Sequence, residues 1–172
     1  MQKLLLIGAI ILPLAACSGG GEEQASAQDV AKAKPPLMQP GEWEITRTVT
    51  GYNFEGITAQ EYQEKLGGTT SVKTCITPET ADRPDPSFLA TNQQTGCDYD
   101  NLTATTGRLS ATLTCQSDDG TLQILLDGAS RTDSLMLSEQ STHTAQGEPT
   151  IRASANVTAK RLGDCPAADK AI

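Results

Sequence analysis

Five cysteines and one histidine carry most of the reactive chemistry in this chain of 172 residues. Cys17 closes the run Leu14-Ala15-Ala16-Cys17 and precedes Ser18-Gly19-Gly20-Gly21. A junction of small residues ending on a thiol, after a short apolar stretch, is a place for signal cleavage and lipid attachment to sulfur. The other four, Cys75, Cys97, Cys115 and Cys165, could bridge in pairs or hold a metal. No two stand as Cys-x-x-Cys, and an exported chain meets an oxidising compartment, so disulfides are expected and a metal is not. His143 stands alone in the sequence. Catalysis by an imidazole needs a nucleophile on one side and an orienting acid on the other, and the sequence names neither. It holds no Gly-x-Ser-x-Gly, no His-Glu-x-x-His and no phosphate loop. The reading for His143 is a solvent-facing strand residue among Ser, Thr and Gln. Asp118-Asp119-Gly120 lacks the remaining ligands of a calcium loop and reads as a hairpin turn. Glu22-Glu23 read as solvating charge. Asp164, beside Cys165, reads as a turn cap after Gly163. No catalytic residue and no cofactor is therefore assigned.

Lys3 gives the start a positive charge, and Leu4 to Leu14 form an apolar run of eleven residues. That run is too short to cross a bilayer as a helix. The segment resembles a bacterial lipoprotein signal. The resemblance implies a cleaved peptide over 1–16 and a thioether diacylglycerol plus an amide-linked acyl chain on Cys17. At roughly 0.8 kcal/mol per buried methylene, several chains make such an anchor nearly permanent. Ser18, not Asp, follows Cys17, which in the signals it resembles implies sorting to the outer membrane, facing the periplasm.

Loss of Lys3 with the signal takes the formal charge from −8 to −9. An acidic domain with no basic run repels phosphates, so nucleic-acid binding is disfavoured. The length suits one domain, which can bury roughly two thirds of its unfolded surface. Its core is expected to be lean: aromatics are 3% of the chain and all six lie between Trp43 and Tyr99. Residues 17–37 read as a flexible tether, rich in Gly, Glu, Gln, Ala and Lys and ending at Pro35-Pro36, with a root-mean-square reach of roughly 25 Å. The domain is placed at 38–166 and a tail at 167–172.

The elements that must position these groups are mostly strands. After Pro40-Gly41, Trp43, Ile45, Arg47 and Val49 alternate with Glu44, Thr46, Thr48 and Thr50. Arg47 interrupts the apolar side and suggests a rim. Thr58 and Glu61 form a capping box, with Ile57 and Tyr62 in the staple positions, so a helix of about two to three turns is expected up to Gly67. Tyr52, Phe54, Tyr62 and Leu66 are read first as the domain's main apolar plug. They are also the candidates for a ligand site at the open end of a sheet. A second strand runs over Ser71 to Ile76, and Thr77-Pro78-Glu79 looks like the start of a very short helix. From Cys97 onward strand follows strand. Cys97, Tyr99 and Asn101 alternate with Asp98, Asp100 and Leu102. Leu109 to Cys115, Leu122 to Leu126, Leu135 to Thr144 and Ile151 to Lys160 follow, with Gly, Asp and Pro turn signals between them. The expected fold is all-β with minor α: a curved antiparallel meander or half-barrel of about 6–7 strands with one short helix, stapled by disulfides. A sandwich is the alternative closure.

Register selects the cysteine pairs. A three-residue loop at Thr105-Thr106-Gly107 sets Ala104 opposite Arg108, and counting outward brings Cys97 opposite Cys115. Cys75 is then left with Cys165. A loop that long, once closed, gives roughly 4–5 kcal/mol in the chain-entropy model.

Pro40-Gly41-Glu42-Trp43-Glu44, Cys75-Ile76-Thr77-Pro78-Glu79, Cys97, Cys115 and Arg161-Leu162-Gly163-Asp164-Cys165, in that order and spacing, resemble a family of Gram-negative secreted proteins and lipoproteins known only as a domain of unknown function. The resemblance spans Met38 to Pro166. It implies an envelope location and paired cysteines, and brings no activity and no catalytic residue. The later strands here are poorer in Met and aromatics than those relatives. The functional expectation is an envelope lipoprotein, held to the membrane by Cys17, that binds a protein partner or a small apolar ligand without catalysis. A structural or stress-related surface protein without a ligand is the alternative, and a hydrolase of envelope polymers is a further one.

Overall fold

Period-two patterning governs the chain from Gly41 onward, and strands form wherever it persists. A computed structural model describes residues 36–90, 96–105 and 107–166. Cys17, the expected signal, all of the tether before residue 36 and the tail from residue 167 lie outside the described residues. The elements in order are β1 (Gly41–Asn53), α1 (Ala59–Lys65), β2 (Thr69–Ile76), α2 (Pro86–Ala90), β3 (Cys97–Thr105), β4 (Arg108–Ser117), β5 (Gly120–Arg131), β6 (Ser134–Thr144) and β7 (Ile151–Gly163). All strands join one antiparallel sheet in the order β2-β1-β7-β6-β5-β4-β3. The sheet is open, with β2 and β3 as its edges. The expected all-β meander is present from β3 to β7. The chain's first strand then pairs with its last, which places the β1–β2 hairpin beyond β7.

One face of this sheet is apolar, and the connection between the two edge strands covers it. Met38, Trp43, Phe88 and Leu89 are buried in one cluster with Leu109, Leu113, Ile124, Leu126, Leu135, Leu137 and Val157. Trp43 meets Phe88 edge-to-face at 6.2 Å, and its indole N–H donates to the Gln39 carbonyl at 3.0 Å. The Tyr99 hydroxyl donates to the Pro84 carbonyl at 2.9 Å. Burial holds that phenol well above its ordinary pKa, with the Arg83 charge opposing. The helix of the edge-to-edge connection is thus Pro86–Ala90, in addition to α1; Thr77 to Thr80 form a turn closed by the Thr80 amide on the Thr77 carbonyl at 3.1 Å. The main plug is therefore Met38, Trp43, Phe88 and Leu89, not the Tyr52 group.

Both cysteine pairs are bonded as expected, Cys97 with Cys115 and Cys75 with Cys165. The route to the first differs. Thr105 lies opposite Arg108, so the turn is one residue shorter than the loop assumed from the sequence, and a bulge between Tyr99 and Asn101 restores the offset. The same bulge flips the alternation: Leu102 and Ala104 are half-buried while Asn101 is exposed. Two polar residues in succession, Asp100-Asn101, give the chain a place to bulge without burying charge.

The second disulfide closes a corner built from the two ends of the domain. Gly41 has φ +143°, and a Cβ there would run into the Gly163 carbonyl and the Arg161 guanidinium. Arg161 donates to the Pro40 carbonyl at 2.7 Å and to Asp164 at 2.7 Å. Cys165 lies two residues past β7 and bonds to Cys75, whose ladder partner is Glu42 of β1. Only glycine fits a backbone crowded in this way at positive φ. Gly41→Ala is expected to cost about 2 kcal/mol or more in urea unfolding. Gly147→Ala, at φ +81° but in open space, is expected to cost about 1 kcal/mol; equal costs at the two positions would contradict the crowding.

Candidate functional site

The inward face does not stay apolar along its whole length. On β6 the inward residues in order are Leu135, Leu137, Glu139, Ser141 and His143. The first two belong to the apolar cluster and the next three are polar. Across the ladder, Glu139 lies between Ala155 of β7 and Leu126 of β5, and Ser141 between Ala153 and Ile124. The β7 neighbours present only methyl groups, so no large side chain of that strand fills the space above them.

Arg47 fills part of it. It does not mark the end of β1; it sits mid-strand opposite Val157 and reaches over β7 to Glu139. Its Nε lies 3.0 Å from both carboxylate oxygens and its Nη2 2.7 Å from Oε1. Glu139 is 3% exposed and the Arg47 side chain 18%. Removing two charges from water is expensive, and a bidentate pair in low dielectric only roughly recovers the cost. Such a pair is weak evidence for stability in itself and stronger evidence for a requirement at that place. The bond uses one edge of the guanidinium. Of its five N–H donors, both at Nη1 and one at Nη2 have no partner among the described residues. Ser141 is 8% exposed, and its hydroxyl also lacks a partner among the described residues.

The sequence candidates stand at the same end of the sheet. A register shift between Val49 and Gly51 puts Tyr52 opposite Ala153, on the inward face. Tyr52 and Phe54 make an edge-to-face contact at 6.1 Å, and the Lys65 ammonium lies 5.7 Å from the Tyr52 ring centre. Tyr62 on α1 and Leu66 at its C-cap are half-buried. That helix packs beside β1, where the Gly67 amide donates to the Val49 carbonyl at 2.9 Å. The capping box predicted at Thr58 is formed: the Thr58 amide and hydroxyl donate to Glu61 at 2.8 and 2.7 Å. The backbone bond first, and the hydroxyl second, hold the Glu61 carboxyl below its ordinary pKa. None of Tyr52, Phe54, Tyr62 and Leu66 belongs to the core cluster. Tyr52 and Phe54 are brought together at the end of the polar half of the face, and Tyr62 and Leu66 lie in the β1–β2 connection with no ring contact to them among the described residues.

His143 faces inward too, at the far rim between Ile151 and Leu122, instead of outward as expected. It lines a pocket of about 590 Å³ with Ser117, Asp118, Asp119 and Glu148. Among the described residues the hydrogen bonds that would make a nucleophile and base of these groups are not formed: the Ser117 hydroxyl donates to the Gly120 carbonyl at 3.3 Å. Asp118-Asp119 is the two-residue turn between β4 and β5, as expected. Among the described residues no three metal-binding side chains converge, and no helix is long and apolar enough to cross a membrane.

With this geometry in place, the family of proteins of unknown function (DUF3617) matches residues 38–165. The chain belongs to that family. No curated protein and no solved structure matches it. The DUF3617 match begins at Met38, a fully buried residue of the core cover, and ends at Cys165 of the corner disulfide. It therefore spans the sheet, its cover and both bridges.

Glu139 and Ser141 escaped sequence reasoning because polar residues on alternate positions of β6 disguise an inward face. The signal was their phase: they continue the spacing of Leu135 and Leu137. Arg47→Met or Glu139→Leu alone is expected to cost about 3–5 kcal/mol in urea unfolding, and the double variant to recover most of it. Costs that simply add would show the pair to be uncoupled. At α1 the sign follows from a lowered carboxyl pKa: the cap is present above the ordinary carboxylate range and is lost as pH falls through the lowered folded value. The protection of the α1 amides, corrected for the intrinsic pH dependence of exchange, is therefore expected to fall in acid, and Thr58→Ala to flatten that dependence.

Proposed function

We propose that this DUF3617 protein is a non-catalytic binding module, held in the cell envelope by lipid on Cys17, that takes a small, largely apolar ligand between the aromatic edge at Tyr52 and the polar half of the inward face. The observation that carries the reading is the mismatch between the two halves of one face. One half is closed by Met38, Trp43, Phe88 and Leu89. The other is lined by alanines, a buried ion pair and a hydroxyl with no partner among the described residues, with Tyr52 and Phe54 half-buried beside it. Binding sites in small β domains combine apolar lining with a few placed polar groups in this way. The Leu-Ala-Ala-Cys junction supports the anchor, and the acidic charge and Thr-rich outer face support an exposed position in the envelope.

The test is an intact mass under native conditions of the protein recovered gently from its own cells. A stoichiometric extra mass that leaves on denaturation is expected, and Tyr52→Ala together with Tyr62→Ala is expected to reduce its occupancy severalfold. A protein that carries only its acyl anchor would overturn stable ligand carriage.

A further inference from the structure

We propose that β2 is the docking edge for a second copy of this chain, joined strand to strand about a two-fold axis so that the two sheets run on as one. The inference does not rest on ligand carriage. The sheet is open, and its two edges differ in how they meet solvent. An edge strand offers unpaired N–H and C=O groups to any other extended chain, and native proteins blunt it with charges, bulges, proline or a covering segment. At β3 such devices are present: Asp98 and Asp100 are exposed, and a bulge interrupts the ladder between Tyr99 and Asn101. At β2 most of them are missing. Its eight residues, Thr69 to Ile76, pair with β1 without a register shift, include no proline and carry one charge, Lys73. All but Val72 and Ile76 are exposed. Among the described residues, no backbone hydrogen bond reaches Thr69 to Ile76 from any strand but β1.

The register of the strand selects the partner. The Val49 amide donates to the Gly68 carbonyl at 2.9 Å. Ladder bonds alternate from there, so Thr70, Val72 and Thr74 turn their backbone groups toward β1, and Thr69, Ser71, Lys73 and Cys75 turn theirs outward. A second, antiparallel β2 must therefore pair odd positions with odd. Setting Val72 opposite Val72 of the second copy pairs Ser71 with Lys73 and Thr69 with Cys75 of that copy, and the same pairs recur in reverse. A register centred on Lys73 would set two ammonium groups against each other. One centred on Ser71 would leave Thr74 and Cys75 beyond the other copy's strand. The register centred on Val72 has neither fault. On the inward face, where Thr70, Val72 and Thr74 lie opposite Arg47, Ile45 and Trp43 of β1, it matches β-branched residues with β-branched residues, pairs that stabilise a sheet. Charge favours the same partner. Lys73 already faces Glu44 across the β1 ladder, so an acidic foreign strand gains little there, whereas the second copy presents the uncharged Ser71. The interface is isologous. It rests on one strand from each copy and so belongs to the small class that forms as concentration rises.

The test is sedimentation equilibrium of the mature chain carrying Cys17→Ser, which removes the thiol of the expected anchor and keeps every residue of the domain. A reversible shift from the monomer mass toward twice that mass is expected as concentration rises. Ser71→Glu sets a carboxylate opposite Lys73 in each of the two symmetric pairs and is expected to tighten the dimer about three- to tenfold, while Ser71→Lys sets ammonium against ammonium and is expected to weaken it by a similar factor. Ser71 is exposed, so both variants leave the core of the monomer intact. A register centred on Ser71 would make both substitutions weaken the dimer, and an interface elsewhere on the molecule would leave both without effect. A protein that stays monomeric at every concentration, which would leave the edge to a foreign strand, or a dimer that Ser71→Glu does not tighten and Ser71→Lys does not weaken, would overturn the inference.

Discussion

An open sheet with one largely apolar face must be covered, and the strands from β4 onward bring no Phe, Tyr or Trp to that face. The cover therefore comes from outside those strands. Trp43 enters from β1, Met38 from the segment before it, and Phe88 and Leu89 from the connection that carries the chain from one sheet edge to the other. Because that connection spans the sheet, β2 and β3 can be the edges, and β1 can pair with β7 to join the two ends of the domain. Closure is achieved by a covering segment instead of by edge-to-edge pairing, so the architecture is an open sheet and not a barrel.

The aromatic cover reaches only part of the way, although the face beyond it is still closed, with Glu139 3% and Ser141 8% exposed. Beyond Val157 and Leu137 the inward face changes to Ala155, Glu139, Ala153 and Ser141, and Arg47 reaches across to complete it. A protein optimised only for stability gains little from a buried ion pair and a hydroxyl without a partner among the described residues at that place. Local departures from good packing of this kind accumulate at functional sites. Tyr52, with Phe54 against it, stands at the end of this strip. The capping box and the register shift fix α1 against β1 and turn Tyr52 inward, so the ring becomes part of the same strip.

Much of the fold was legible in the sequence because alternation, turn residues and capping act locally. The strands, the Thr58 cap and both disulfide pairs could be read that way. Three features could not. The bulge at Asp100 compensates for a shorter turn, and a one-residue error in each of two places cancels at Cys97 and Cys115. The β1–β7 pairing is a contact between the two ends of the domain, which no local pattern encodes. The inward phase of Glu139, Ser141 and His143 was hidden because burial of polar groups depends on partners on other strands: Arg47 is far away in sequence and adjacent only once β1 lies beside β7. The motifs that resembled the DUF3617 family have a physical role at the corner. Pro40-Gly41 and Arg161 to Cys165 pack against each other there, which explains why they occur at opposite ends of the domain. They hold the sheet together and do not line the strip.

The most direct measurement is a crystal structure of the mature protein recovered from its own cells without added lipid. Continuous extra density along Ala153 and Ala155, with a polar atom about 3 Å from Ser141 Oγ or Arg47 Nη1, is the result expected if the polar half of the face is a ligand site. A strip closed by the protein's own side chains, with Ser141 and Arg47 satisfied within the chain, would contradict it.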